Sequence, residues 1–314
     1  MSAVTRLYVV VPCYNEEDVL PQTVPRLERL LEELMAKGKV SQESCVYFVD
    51  DGSCDQTWAI IEAYAARSKQ VKGIKLSRNR GHQNALFAGL VTAEGDAVVS
   101  IDADLQDDID VIEDMIAEYD SGAEIVYGVR RTRTSDTFGK RVTAEGYYKL
   151  LRWMGVDVVF NHADFRLLSR RALDVLKEYG EVNLFLRGIV PTLGMSAKEV
   201  LYERHERAAG ESKYPISKML ALAADGITSF SAFPLRLIAG LGLSVFVVSV
   251  IIAVWALAVG IFSDRAVPGW TSSVLPMYLL GGIQLLSIGV LGEYVAKIYM
   301  ETKRRPRFII EKRV

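Results

Sequence analysis

Several things are scarce in this sequence, and each scarcity removes a class of protein. Cysteine occurs only as Cys13, Cys45 and Cys54, none in a C-x-x-C spacing. That is too few for a disulfide framework and fits a reducing compartment. Net charge is only −2, so no basic excess argues for a nucleic-acid partner. The first strand–helix turn lacks G-x-G-x-x-G and holds Pro12-Cys13-Tyr14-Asn15-Glu16 instead, which disfavours an NAD-type site; a P-loop is absent too. The N-terminus shows no long apolar region and no small-residue cleavage site, so no signal peptide is expected. His162 has no second histidine at ligand spacing and reads as a loop histidine.

Apolar residues are abundant but unevenly placed. Leu237 to Ser263 and Ala266 to Gly292 are each 27 residues without a charge, and a membrane span needs about 20. The short connection around Asp264-Arg265 joins them as a hairpin. Arg236 precedes the first, and Lys297, Lys303, Arg304, Arg305, Arg307, Lys312 and Arg313 follow the second. The positive-inside rule then puts both termini and the large N-terminal region in the cytoplasm, as a multi-pass protein of the inner (plasma) membrane. Ile216 to Phe230 carries an apolar face suited either to the membrane interface or to ordinary packing. Glu293 and Lys297, four apart, suit snorkelling to the interface, with pairing on one helix face, a partner subunit or the lipid phosphate as alternatives.

Before these spans, strands alternate with helices. Leu7–Pro12, Cys45–Val49, Val71–Leu76, Val98–Ile101 and Glu124–Val129 read as strands. Helices are expected from Asn15, a plausible N-cap, to Lys37, from Asp55 to Ala66, over His82–Ala93 and over Val111–Tyr119. This alternation implies a doubly wound parallel sheet, whose ligands bind beyond the carboxyl ends of the strands. Polar groups stand at those ends: Tyr14, Asn15 and Glu16; Asp50 and Asp51; Ser77, Asn79 and Gly81; Asp102, Asp104 and Gln106. In extended chain, Asp102 and Asp104 point the same way and Gln106 follows. Three oxygen donors suit a hard cation, Mg²⁺ or Mn²⁺. Farther on, Phe138–Met154 and Leu173–Tyr179 read as helical, Glu199–Arg207 as a strand, and Gly210–Tyr214 as a turn. Metal and acids at a sheet edge, followed by a membrane anchor, fit transfer from a nucleotide-activated donor to a lipid.

Six ordered motifs carry a resemblance. They are Val11-Pro12-x-Tyr14-Asn15-Glu16, Val49-Asp50-Asp51-Gly52-Ser53, Leu76-Ser77-Arg78-Asn79-x-Gly81, Asp102-Ala103-Asp104-Leu105-Gln106, Asp164-Phe165-Arg166-Leu167 and Gly210-Glu211-Ser212-Lys213-Tyr214. Together they resemble the inverting family 2 glycosyltransferases. Within these the chain is most similar to the polyprenyl-phosphate sugar transferases of the bactoprenol (undecaprenyl-phosphate) glucosyltransferase type, cousins of dolichol-phosphate mannose synthases. The resemblance implies a GT-A fold: a Rossmann-like, mostly parallel α/β sheet with flanking helices, plus a C-terminal two-helix transmembrane hairpin. It implies that Pro12, Tyr14, Asn15, Glu16, Asp50, Asp51, Ser77, Asn79, Gly81 and Ala103 surround the nucleotide sugar, UDP-glucose being favoured. Asp102, Asp104 and Gln106 would hold Mg²⁺ or Mn²⁺, and Arg130 would meet phosphate or sugar. Arg207 and Lys213 would meet the polyprenyl phosphate acceptor, with Asp164 at the reacting centre. Relatives usually carry Gly before that Asp-Phe-Arg and often Asp three residues earlier, where this chain has Ala163 and Asn161.

The expected organisation is a cytoplasmic catalytic domain over 1–214, an interfacial helix over 215–233, spans at about 235–262 and 274–298, and a basic tail over 301–314. A homo-oligomer is compatible with this. The alternatives are the same reaction with another sugar (mannose or aminoarabinose type), a processive polysaccharide synthase, and a non-catalytic membrane scaffold. Lys149-Leu150-Leu151-Arg152-Trp153 has Lys where a processive synthase has Gln and precedes Asp164, and two spans are few for a channel. The intact Asp50/Asp51 and Asp102/Asp104 pairs speak against a scaffold.

Overall fold

The structure, a computed structural model, describes residues 4–131, 162–181, 184–203, 233–262 and 270–314. They fall into two compact units: one holds the sheet with its helices and residues 304–314, the other the two long C-terminal helices.

The sheet has eight strands: β1 (Leu7–Cys13), β2 (Cys45–Asp50), β3 (Val71–Leu76), β4 (Ala97–Ser100), β5 (Ile125–Arg130), β6 (His162–Ser169), β7 (Ala197–Tyr202) and β8 (Ile310–Arg313). Their order is β7-β5-β6-β4-β1-β2-β3-β8. β1, β2 and β3 pair in parallel, as do β1 with β4 and β5 with β7. β6 runs antiparallel between β4 and β5, and β8 runs antiparallel along β3. The sheet is therefore mostly parallel and mixed, where alternation of strands and helices alone implies an all-parallel one. This difference carries the site: an antiparallel strand begins at the edge where its parallel neighbours end. Asp164, near the start of β6, thereby joins residues that follow β1 to β5.

β1 is buried at every position, as its uninterrupted apolar run requires of a strand covered on both faces. On one face Leu7, Val9 and Val11 pack with Leu20, Val24, Leu27 and Leu31 of α1 (Leu20–Ala36). On the other, α3 (His82–Thr92) lies so close that a side chain at Gly89 would run into Val10 and Val49. The remaining helices of this unit are α2 (Thr57–Ala65), α4 (Val111–Asp120), α5 (Arg170–Glu178) and α6 (Leu186–Thr192). Fixing α3 and α6 beside β6 is what the site needs from this core.

Two expectations are corrected here. α1 starts at Leu20 with Val19 at its N-cap, and Asn15 instead takes a left-handed conformation, φ 54°. Its side chain accepts from Cys54 N–H, bridging to the loop after β2 rather than capping a helix. The segment read as a basic tail contains β8 and is part of the sheet.

In the second unit α7 (Phe233–Phe262) and α8 (Trp270–Thr302) are 30 and 33 residues long. Among the described residues one stretch, Ile283–Thr302, is long and apolar enough to cross a membrane. Large exposed apolar side chains, including Ile251, Val254, Trp255, Leu285 and Ile288, concentrate on these helices. Residues of the expected helices Phe138–Met154 and Ile216–Phe230, the turn Gly210–Tyr214, and Arg207 and Lys213 lie outside the described residues.

Candidate active site

On the β1–β2–β3 side, three loops are laced together. Asn15 N–H donates to Ser53 Oγ at 3.0 Å, and Glu16 N–H to Thr57 Oγ1 at 2.8 Å. Asp50 is fully buried, with Oδ1 accepting from Ser53 N–H at 3.1 Å. Asp51 accepts from the N–H groups of Arg80 at 2.7 Å and Gly81 at 2.9 Å, fixing the far end of the Ser77–Gly81 loop. Asn79 Oδ1 also accepts from Gly81 N–H. Gly52 has φ +67°, and a Cβ there would lie 2.6 Å from the Arg78 carbonyl carbon, so only glycine fits. Burial raises both carboxyls, while the hydrogen bonds from Ser53, Arg80 and Gly81 oppose that rise. Tyr14 is exposed at the rim.

The D-x-D stretch departs from the extended geometry expected of it. β4 ends at Ser100, and Asp102–Leu105 form a turn in which Leu105 N–H approaches the Asp102 carbonyl at 3.4 Å. Leu105 sits in the left-handed region, φ 45°, a conformation that non-glycine residues adopt at a cost and that clusters at functional sites. Asp104 Oδ1 accepts from Gln106 N–H at 3.3 Å. Ala103 points inward, 4% exposed, and its carbonyl accepts from Thr23 Oγ1. The strand thus gives way to a turn that leaves the Asp102 and Asp104 carboxylates half-buried and buries Ala103 and Gln106.

Antiparallel pairing of Ser100 with Arg166 brings Asp164 to the level of Asp102. His82 Nε2 lies between them, 3.7 Å from Asp102 Oδ1 and 3.5 Å from Asp164 Oδ2. Asp164 is 5% exposed and surrounded by donors. Arg166 Nη2 reaches Oδ1 at 2.5 Å, Arg187 spans both oxygens at 3.3 and 3.2 Å, and Gln83 Nε2 donates to Oδ2 at 3.2 Å. Burial would raise the Asp164 carboxyl, but His82, Arg187 and Arg166 hold it well below the usual carboxylate range. Desolvation lowers the His82 imidazole, yet its hydrogen bond to Asp164 and the nearby Asp102 leave it raised. Asp102 is pushed up to about 6, by desolvation first, with His82 opposing and Asp164, Asp107 and Asp104 adding. Asp164 is thus a buried carboxylate ringed by cationic partners, His82, Arg166 and Arg187.

Arg130, at the end of β5, donates to Tyr202 Oη and Asp107 Oδ1, both at 3.1 Å, while Tyr202 Oη donates to Asp107 at 2.5 Å. This triad ties the ends of β5 and β7 to the loop after the D-x-D turn. Sequence reading missed His82, Gln83, Asp107, Arg187 and Tyr202. His82 and Gln83 follow Gly81 directly, and their place at the start of a helix on the carboxyl edge is a usable signal. Arg187 and Tyr202 carry none, because only tertiary pairing brings them to the edge.

Among the described residues, no group of three or more His, Cys, Asp or Glu converges as a metal cluster. A Mg²⁺-type ion asks less than that, being bound by one or two carboxylates plus substrate phosphates. Asp102 and Asp104, half-open carboxylates on one turn, with Gln106 beside them, fit that donor set.

Residues 8–177 match the sequence family described as Glycosyl transferase family 2. The chain belongs to this family. It is a glycosyltransferase of the GT-A fold, and the match spans both sides of the edge just described. The uncharacterized glycosyltransferase YkoT of Bacillus subtilis is 48% identical over 307 residues, 97% of this chain and 91% of that protein. The bactoprenol glucosyl transferase of Shigella phage SfX is 41% identical over 312 residues, 98% of this chain and 99% of that protein. Among solved structures, glucosyl-3-phosphoglycerate synthase from Mycobacterium tuberculosis, in complex with Mn²⁺, UDP and glucosyl-3-phosphoglycerate, aligns with TM-score 0.48 at 17% identity. That alignment covers 71% of this chain and 78% of that one.

Proposed function

We propose that this family 2 glycosyltransferase moves a glucosyl unit from UDP-glucose to a polyprenyl phosphate, with inversion, releasing UDP. The observation that carries the reading is near end-to-end similarity to a bactoprenol glucosyl transferase. The membrane reading is supported by the exposed apolar side chains on α7 and α8, a pattern that marks a lipid or partner surface. A two-span inner-membrane hairpin with cytoplasmic termini is supported by the pairing of β8 with β3, which returns the segment after α8 to the sheet that precedes α7. The domains then run 1–214, 215–233 and 234–300, with 301–314 rejoining the first.

In this reading Pro12, Tyr14, Asn15, Glu16, Asp50, Asp51 and the Ser77–Gly81 loop enclose the uridine. Asp102 and Asp104, with Gln106, would hold Mg²⁺ or Mn²⁺, which when bound neutralises the diphosphate as it leaves. A phosphate monoester has its second pKa near 6 and is mostly dianionic at about pH 7, so the acceptor needs no strong base. It needs cations, since it approaches a donor that is also anionic. Arg187 and His82, beside Asp164, supply them at the reacting centre, and the family resemblance assigns Arg207 and Lys213 to the acceptor phosphate. Acceptor oxygen bonds to the anomeric carbon as the carbon–oxygen bond to UDP breaks. The enzyme should be assayed with undecaprenyl phosphate in vesicles against a panel of labelled nucleotide sugars. UDP-glucose should give labelled lipid and stoichiometric UDP; transfer from another donor alone would overturn the sugar, and transfer from none would overturn the reading.

A further inference from the structure

Residues 304–314 reach from the sheet edge to the loop after β3. Arg304 turns the chain in the left-handed region, φ 46°, directly after α8. β8 then pairs Leu76 with Ile310, Lys75 with Lys312 and Ile74 with Arg313. Val314 and Gly73 exchange backbone hydrogen bonds of 3.0 Å in both directions. This covers a β3 edge whose unpaired groups would otherwise face solvent.

The pairing continues into the site. Ser77 N–H, the first of the Ser77–Gly81 loop, donates to the Ile309 carbonyl at 2.9 Å. The other end of that loop is the one Asp51 holds. The Arg307 guanidinium lies 4.5 Å over the Phe87 ring and donates to the Tyr179 carbonyl, and the Phe308 ring meets Phe87 edge-on at 6.4 Å. Phe87 belongs to α3, whose first residues, His82 and Gln83, reach Asp164.

We propose that Arg307, Phe308 and Ile309 are positioning residues of the transferase, setting the Ser77–Gly81 loop and the first turn of α3 from the segment that leaves the second long helix. The nucleotide-binding edge is then completed only by a segment translated after both long helices. The proposal rests on the catalytic edge described above and not on the choice of sugar or lipid.

The test compares, in vesicles, the full chain with a chain ending at Lys303 and with Arg307→Ala, Phe308→Ala and Arg307→Lys. Two readouts are taken: amide hydrogen exchange at Ser77–Gly81, and the donor KM apart from kcat. Truncation should speed exchange in that loop and raise the donor KM by about 10- to 100-fold, the scale of small misplacements at a reacting site. Arg307→Ala and Phe308→Ala should move both readouts in the same direction, which keeps the test decisive if the truncated chain does not fold. Arg307→Lys should recover part of the effect, since lysine keeps the charge and loses the planar stack. Wild-type exchange and KM after truncation would overturn the proposal. So would point variants that lower only the melting midpoint. If the full chain transfers none of the sugars offered, the functional reading fails by itself, and the exchange measurement still decides this one.

Discussion

On the β1–β2–β3 side of the edge, carboxylates hold backbone; on the β4–β6 side, they hold cations. Asp51 spends both oxygens on the N–H groups of Arg80 and Gly81, and Asp50 accepts from Ser53. Asp164 spends both of its oxygens on Arg166, Arg187 and Gln83, beside His82. The same residue type therefore does two jobs. In the proposed reaction the first side fixes the loops around the donor, and errors there should appear as weaker donor binding. The second, in that proposed reaction, places charge around two anions, and errors there should appear in turnover.

The largest effect is expected at the D-x-D turn. Asp102→Asn or Asp104→Asn should lower kcat by on the order of 10³-fold, the scale of lost electrostatic stabilisation, with circular dichroism and membrane insertion unchanged. A variant with wild-type turnover would remove the turn from the chemistry.

Next is Asp164. Asp164→Asn strips the fully buried Arg166 of its counter-charge and should cost about 3–5 kcal/mol of stability, as breaking a buried ion pair does. Adding Arg166→Met should recover much of the melting midpoint without recovering transfer. Because the Asp164 carboxyl is held below its ordinary value, its stabilising contribution is complete above about pH 4, the unfolded value, and is lost as pH falls through the folded value. The stability gap between wild type and Asp164→Asn should accordingly shrink on acidification, measured by thermal midpoint.

Gly52→Ala should act on the other side. The left-handed φ and the contact with Arg78 should cost about 1–3 kcal/mol and raise donor KM more than they lower kcat. Equal losses in both would blur the distinction between the two sides. Smallest of all, Lys37→Ala removes the exposed ion pair to Glu113 at 2.5 Å and should leave turnover unchanged, as surface pairs far from a site do.

The sequence was informative wherever signal is local. Buried parallel strands announce themselves as unbroken apolar runs, and β1, β2 and β3 lie within a residue of where Leu7–Pro12, Cys45–Val49 and Val71–Leu76 place them. Polar residues at their ends were legible for the same reason. What was not legible depends on pairing at long range. β6 reverses direction, so Asp164 meets Asp102 across a gap that no local pattern encodes. Ile310–Arg313 reads as charged tail because an exposed edge strand needs few apolar residues, and its partner β3 lies far back in the chain. The turn at Asp102–Leu105 is hidden in the sequence because a run of alternating acids looks extended, while Leu105 adopts a conformation its side chain disfavours.

The central claim is that the β4–β6 side supplies held charge and not a proton acceptor. It is tested most directly by kcat of Asp164→Asn, followed from about pH 6 to about pH 9 with donor and lipid acceptor saturating. The account predicts a low kcat that stays flat across this range, with donor KM close to wild type. A kcat that climbs about tenfold for each unit of pH, restoring wild-type turnover at the alkaline end, would make Asp164 the base and contradict it.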